Sequence, residues 1–121
     1  MINTTSIKDK DLFQKTMQKG KWFGGSFLCI YVLNNNNSDN QIGLAIGKKV
    51  GKAYKRNRLK RLIRQSYTDL EKDMNYGHSI VFVWKSSAKF YEADYNSIYK
   101  DVYKLFKKSG ILKWKKFLFY W

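Results

Sequence analysis

The chain has no proline, one cysteine and one histidine, and only nine acidic residues against 24 lysines and arginines. A single cysteine excludes an internal disulfide framework, and together with a single histidine it leaves no ligand set for a zinc cluster. Cys29 sits in an apolar run and reads as a buried free thiol. His78 stands beside a turn and reads as structural. With one imidazole, no Ser/His/Asp arrangement can be assembled. The acids are scattered, whereas a protein nuclease needs clustered carboxylates around a metal or a histidine-based acid–base pair. No catalytic residue, no metal ligand and no protein-bound cofactor is therefore expected. No apolar run is long enough to span a bilayer, and there is no signal-peptide pattern. The cytoplasm is the expected compartment, with no membrane partner. Internal repeats and linker-like stretches are also missing, so one domain is expected.

Positive charge is what the chain has in excess. A net charge of +15 over 121 residues exceeds what solubility requires and creates a field that recruits a polyanion: RNA, DNA or an anionic membrane surface. The charge is concentrated. Nine of the seventeen residues 48–64 are Lys or Arg, and no Asp or Glu occurs between Asp39 and Asp69. A block this basic stays disordered unless something orders it. Leu59, Leu62, Ile63, Ser66 and Leu70 recur at helical spacing, which predicts a helix with one stripe on a core. Asn57, Lys60, Arg61 and Arg64 fall on the opposite side. Solvated faces usually mix signs, because like charges at i,i+4 repel. A face of one sign over several turns costs stability until a polyanion neutralises it, so nucleic-acid binding is the expected role.

Along the chain, residues 1–6 are polar and read as loose. Ser6 can cap a helix starting near Lys8 that carries Leu12, Phe13 and Met17 and stops at Gly20. On this spacing Phe13 reads as core. Residues 22–33 read as strand, with Gly24-Gly25 as a turn or a bulge ahead of its aromatic and β-branched stretch. Residues 34–40 form a polar loop that reads as a hairpin tip, and 41–46 as the returning strand. Residues 47–51 lead into the basic helix; their exposed amides favour phosphate, but the spacing is not that of a nucleotide-binding loop. Asp69, Glu71 and Asp73 lie at the C-terminal end of that helix, the unfavourable end for acids. Residues 75–77 form a turn and 79–84 a central strand. After a loop, residues 93–108 form a second amphipathic helix, with Ile98, Val102, Leu105 and Phe106 on one stripe and Ser109-Gly110 ending it. The expected class is α+β: one domain over residues 1–112, with helices packed on a sheet. Residues 113–121 (KWKKFLFYW) interleave aromatics with lysines, which suits base stacking or a membrane interface and equally a frayed or sheet-capping end.

The basic segment has a specific wording. Lys48-Lys49-Val50-Gly51-Lys52-Ala53, then Arg56-Asn57-Arg58-Leu59-Lys60-Arg61-Leu62-Ile63-Arg64, resembles the KKxGxA and RNRxKRxxR signature of the bacterial ribonuclease P protein subunit. The likeness extends over residues 7–112. It implies an α-β-β-β-α-β-α fold like the second domain of a small-subunit ribosomal protein, with a left-handed βαβ crossover where general rules favour a right-handed one. It also implies an accessory subunit of an endoribonuclease. In that family the RNA subunit is the catalyst. It hydrolyses precursor tRNA with magnesium to release the 5′ leader, while the protein docks on that RNA, helps hold the leader and strengthens metal-ion and substrate binding. No obligatory protein partner is expected.

Carried over by position, the residues that the resemblance assigns to the catalytic RNA are Lys48, Lys49, Lys52, Arg56, Asn57, Arg58, Lys60, Arg61 and Arg64. Arginine offers forked donors and a flat stacking face, lysine a point charge, and Asn57 a hydrogen-bonding amide. The family's second surface is a cleft between the first helix and the sheet, where the single-stranded leader lies. Phe13 matches an aromatic there, and Tyr31 matches another on a gap-free count from Gly20. Met17 stands where an aromatic is common, and Ala45 and Gly47 where serines are common. Aromatic stacking holds single strands without reading their sequence, so Phe13 is open between core packing and leader contact.

Three other readings share the charge. A ribosomal or other non-processing RNA-binding protein would not need this motif spacing. A helix-turn-helix DNA reader is disfavoured by the flanking apolar strands and the lack of a second short helix. A protein-only nuclease is disfavoured by the scattered acids.

Overall fold

In a computed structural model, which describes residues 1–113, the apolar stripes of two long helices close on one face of a five-stranded sheet. In chain order the elements are β1 (Thr4–Ser6), α1 (Lys10–Lys19), β2 (Lys21–Gly24), β3 (Leu28–Asn34), β4 (Asn40–Ala45), α2 (Ala53–Leu70), β5 (His78–Trp84) and α3 (Tyr95–Ser109). The strands lie in the order β1-β4-β5-β3-β2. β4 runs parallel to β1 and β5, and β3 antiparallel to β5 and β2. This is the expected α+β order with one short strand added in front. β4 and β5 are parallel neighbours joined through α2.

Alternation along the strands sends Leu28 and Ile30 of β3, Ile42 of β4, and Ile80 and Phe82 of β5 to one face. The register sets Ile30 beside Phe82 and Ile42 beside Ile80. Leu59, Ile63, Tyr67 and Leu70 of α2 and Ile98, Val102, Leu105 and Phe106 of α3 cover that face, and all are buried. Each such side chain contributes about 1.5–3 kcal/mol by leaving water. Tyr67 belongs to this stripe although the polar hydroxyl obscures it in the sequence. α1 packs on the other face, against β3 and β5.

Several local expectations are corrected. Residues 1–6 are not loose: Thr4–Ser6 pairs in parallel with β4, Thr4 beside Asn40. What orders them is remote in sequence. The buried Glu71 carboxylate accepts the N–H groups of Ile2 (2.7 Å) and Asn3 (3.0 Å) and the Thr4 hydroxyl (2.7 Å). Asp9, not Ser6, caps α1, accepting the N–H of Asp11 at 2.9 Å. The stretch 22–33 is two strands, because Gly24-Gly25 turns the chain back on itself and β2 pairs with β3. The carboxylate of Asp101 in α3 holds this turn by accepting the N–H groups of Ser26, Phe27 and Leu28 at 2.7, 2.9 and 2.9 Å. Residues 34–40 are not a hairpin tip, since β5 lies between β3 and β4. Asn40, at the end of that polar run, is fully buried, donating to the Tyr67 hydroxyl and accepting the His78 N–H. The last helix begins at Tyr95, two residues later than expected, because Asp94 caps it through the N–H of Ser97. Gly110, at φ 77°, ends it in the left-handed conformation. Cys29 is a buried free thiol, as expected.

Candidate nucleic-acid interface

The basic segment is ordered from both ends. A short 3-10 turn, Lys48–Val50, is followed by Gly51 at φ 134°, a conformation open to glycine. α2 then starts without a side-chain cap, so its first N–H groups and the positive end of its dipole stand among Lys48, Lys49 and Lys52. Those three lysines are exposed, as are Asn57, Arg58, Arg61 and Arg64, while Arg56 and Lys60 are half-buried. The remaining cation of the segment, Lys55, lies 5.5 Å from the centre of the Phe90 ring and is drawn to the aromatic instead.

The helix sorts the candidates into two flanks. Arg56, Lys60 and Arg64 follow i, i+4, i+8 spacing, with Asn57 and Arg61 beside them. Arg58 lies on the other flank with Leu62, Gln65 and Asp69. There the Asp69 carboxylate accepts from Gln65 Nε2 (3.1 Å) and from the Tyr95 hydroxyl of α3. That hydrogen bond, and then burial, push the Tyr95 hydroxyl up to about 12. Asp69 is thus engaged with α3 and not with the cations of the opposite flank.

The first flank borders the second candidate surface. A cleft of about 180 Å³ is lined by Ser6, Ile7, Phe13, Gly43, Lys60 and Arg64. The Phe13 ring lies directly over Gly43 and is half-buried, as are Met17, one turn along α1, and Tyr31. Tyr31 is two strands away from Gly43 on the same face, because Tyr31 pairs with Val81 and Val81 with Gly43. The structure therefore brings Phe13, Met17 and Tyr31 to one face of the sheet and Lys60 and Arg64 to its border. Ser6 and Ile7 enter the cleft only because β1 pairs with β4; no periodicity in the sequence marks them. Beside β4, a second cavity of about 510 Å³ is lined by Ala45, Ile46, Gly47, Lys49, Val83 and Trp84. Ala45 and Gly47, where the resemblance leads one to expect serines, form part of its wall. Among the described residues no group of three or more His, Cys, Asp or Glu side chains is placed to hold a metal ion, and no helix is long and apolar enough to cross a membrane. Residues 114–121, most of the aromatic and basic tail, lie outside the described residues.

A helix with one cationic flank laid against a sheet, with a cleft holding Phe13 at its border, defines a small α+β protein shaped to present positive charge in fixed geometry. Residues 1–110 match the family model described as Ribonuclease P. The chain belongs to the ribonuclease P protein component family. It is 38% identical over 111 residues to the ribonuclease P protein component of Clostridium botulinum (strain Loch Maree / Type A3), covering 91% of this chain and 98% of that protein. The Clostridioides difficile (strain 630) counterpart is 37% identical over 109 residues, covering 89% and 94%. Among solved structures, the RNase P protein of Staphylococcus aureus superposes with a TM-score of 0.79 at 23% identity, covering 89% of this chain and 97% of that one. The RNase P protein from Thermotoga maritima gives 0.73 at 23% identity, covering 79% and 89%. Membership carries a role in tRNA 5′ processing and partnership with the RNase P RNA.

Proposed function

We propose that the cationic flank of α2, with Lys48, Lys49 and Lys52, docks on the catalytic RNA, and that the cleft of Phe13, Met17 and Tyr31 receives the single-stranded 5′ leader of precursor tRNA. The observation that carries this reading is the continuity of the two surfaces: Lys60 and Arg64 line the same cleft as Phe13. No acid is among the residues lining that cleft, into which a strand leaving an RNA held on α2 passes directly. Structured RNA is gripped through phosphate and shape, which suits an Arg/Lys/Asn face, whereas a single strand is gripped by stacking, which suits the aromatics. Arg58, on the far flank of α2, serves a separate RNA contact from the Arg56–Lys60–Arg64 line.

On this reading the RNA carries the endonucleolytic step and the protein is its accessory subunit in the cytoplasm. On the same reading the magnesium ion is held by the RNA. The protein neutralises phosphate repulsion and holds the leader, lowering the magnesium needed. The test is cleavage of precursor tRNA at low magnesium by the protein alone, the catalytic RNA alone and the two together. Activity in the combination alone supports the accessory role. Activity of the protein alone overturns it. Tight RNA binding with no cleavage in any mixture moves the chain to a non-processing RNA-binding role.

A further inference from the structure

We propose that Trp22 extends the leader cleft to the outer edge of the sheet and stacks on a leader base farther from the cleavage point than the base beside Phe13. This rests on the reading of the cleft as the leader's path. Trp22 lies on β2, the edge strand, and is 55% exposed. The pairings Trp22–Tyr31, Tyr31–Val81 and Val81–Gly43 place it in one row with the residue under Phe13, on one face of four adjacent strands. Three strand spacings make that row about 14 Å long.

The indole does not project freely into solvent. A β-carbon on Gly24 would stand 2.5 Å from Trp22 Cη2 and 2.9 Å from Cζ2, so the six-membered ring lies back over Gly24, in space that only glycine leaves open. The neighbouring row is Gly24, Cys29, Val83 and Ala45, all small or β-branched. Trp22 and Tyr31 therefore stand beside a low row, with the indole lying over its Gly24 end. A phosphate partner stands at the Trp22 end: Lys19, the last residue of α1 on the same side of the sheet, is exposed. The acid nearest this turn, Asp101, is engaged by three backbone N–H groups. The direction of the strand follows from the charge. The RNA-facing flank borders the Phe13 end, so leader nucleotides nearest the cleavage point lie there and the more distant ones run toward Trp22.

The experiment measures affinity of the assembled RNA–protein enzyme for precursor tRNAs whose leaders are lengthened one nucleotide at a time. Wild type, Trp22→Ala, Trp22→Phe, Gly24→Ala and Phe13→Ala are compared. Trp22→Ala should follow wild type on mature tRNA and the shortest leaders, then lose about five- to tenfold on the longer ones, the worth of one stacked base. Trp22→Phe should keep most of that gain. Gly24→Ala should reproduce the loss with the indole still present, because the new methyl displaces the ring. A Trp22→Ala curve equal to wild type at every length, or a loss equal on mature tRNA, overturns the proposal. Flattening by Phe13→Ala without any effect of Trp22→Ala leaves the leader cleft standing and removes only its extension. No leader dependence in wild type removes both.

Discussion

Phe13 and Gly43 fill one space between them: a β-carbon on Gly43 would stand 2.7 Å from Phe13 Cε2 and 2.9 Å from Cδ2. The absent side chain of one residue is the seat of the other's ring. Gly43→Ala therefore moves Phe13 without changing any charge. It should weaken leader-dependent binding roughly three- to tenfold, measured as the difference between precursor and mature tRNA affinities. The overpacking should cost about 1–3 kcal/mol of stability. Unchanged leader dependence would place the ring outside the leader's path.

Arg61 and Arg64 lie on the cationic flank with Asn57 and no acid between them. Replacing both with Ala should weaken binding to the catalytic RNA and reduce the magnitude of the slope of log affinity against log salt by about 1 to 2, since two fewer phosphates are neutralised. A salt titration of both proteins reads this directly. Parallel lines would show that these arginines face water in the complex.

Glu71 ties the first residues to the end of α2. Burial raises its carboxyl, but the bonds from Thr4, Ile2 and Asn3 outweigh it and hold the group below its ordinary value of 4.5. The sign follows: between the two values the unfolded chain binds the proton more tightly, so stability rises with pH there. The contribution is complete above the ordinary value and is lost as pH falls through the lowered folded one. Glu71→Gln sets an amide against donors and should cost about 2–4 kcal/mol at neutral pH. The gap to wild type should narrow on acidification, as urea midpoints across that range would show. A gap independent of pH would mean that the carboxylate's charge is not what holds β1.

Asp101 is buried and accepts three N–H groups from the turn between β2 and β3. Asp101→Ala should cost about 2–4 kcal/mol, because it leaves three donors of the turn without their acceptor, that of Leu28 in a buried place. Asp101→Asn, which keeps one acceptor oxygen, should cost less. Chemical denaturation ranks the two, and equal losses would point to the charge rather than to the acceptor count.

What was legible in the sequence is what repeats. The stripes of α2 and α3 each carry a period, β5 is a short continuous apolar run, and the basic motif carries a spacing. Boundaries set by a single side chain were less legible, which is why α1 begins at Asp9's cap rather than at Ser6's. Long-range partnerships were not legible at all. Thr4 pairs beside Asn40 because Tyr67 and Glu71 bind the side chains at that corner: the hydroxyls of Thr4 and Tyr67 lie 2.6 Å apart. Burial pushes the Tyr67 hydroxyl up to about 12, keeping it protonated. Asn40 then donates to Tyr67, Tyr67 to Thr4 and Thr4 to Glu71, a single consistent direction. No local pattern announces such a chain. The two candidate surfaces were legible separately, one as charge and one as a few aromatics. Their meeting at Lys60, Arg64 and Phe13 depends on how β4 sits between α1 and α2, which is a property of the fold.

The strand order has a consequence for how the molecule comes into being. Among the described strands β5 is the last to be synthesised, yet it is the one that lies between β4 and β3 and pairs with both. Until residues 78–84 leave the ribosome, the sheet exists at most as two disconnected halves, β1 with β4 and β2 with β3. The nascent chain has by then exposed the whole cationic segment without the surface that orders it. Folding is therefore a late and collective event, governed by contacts distant in sequence, and the binding face acquires its geometry only when the central strand closes the gap.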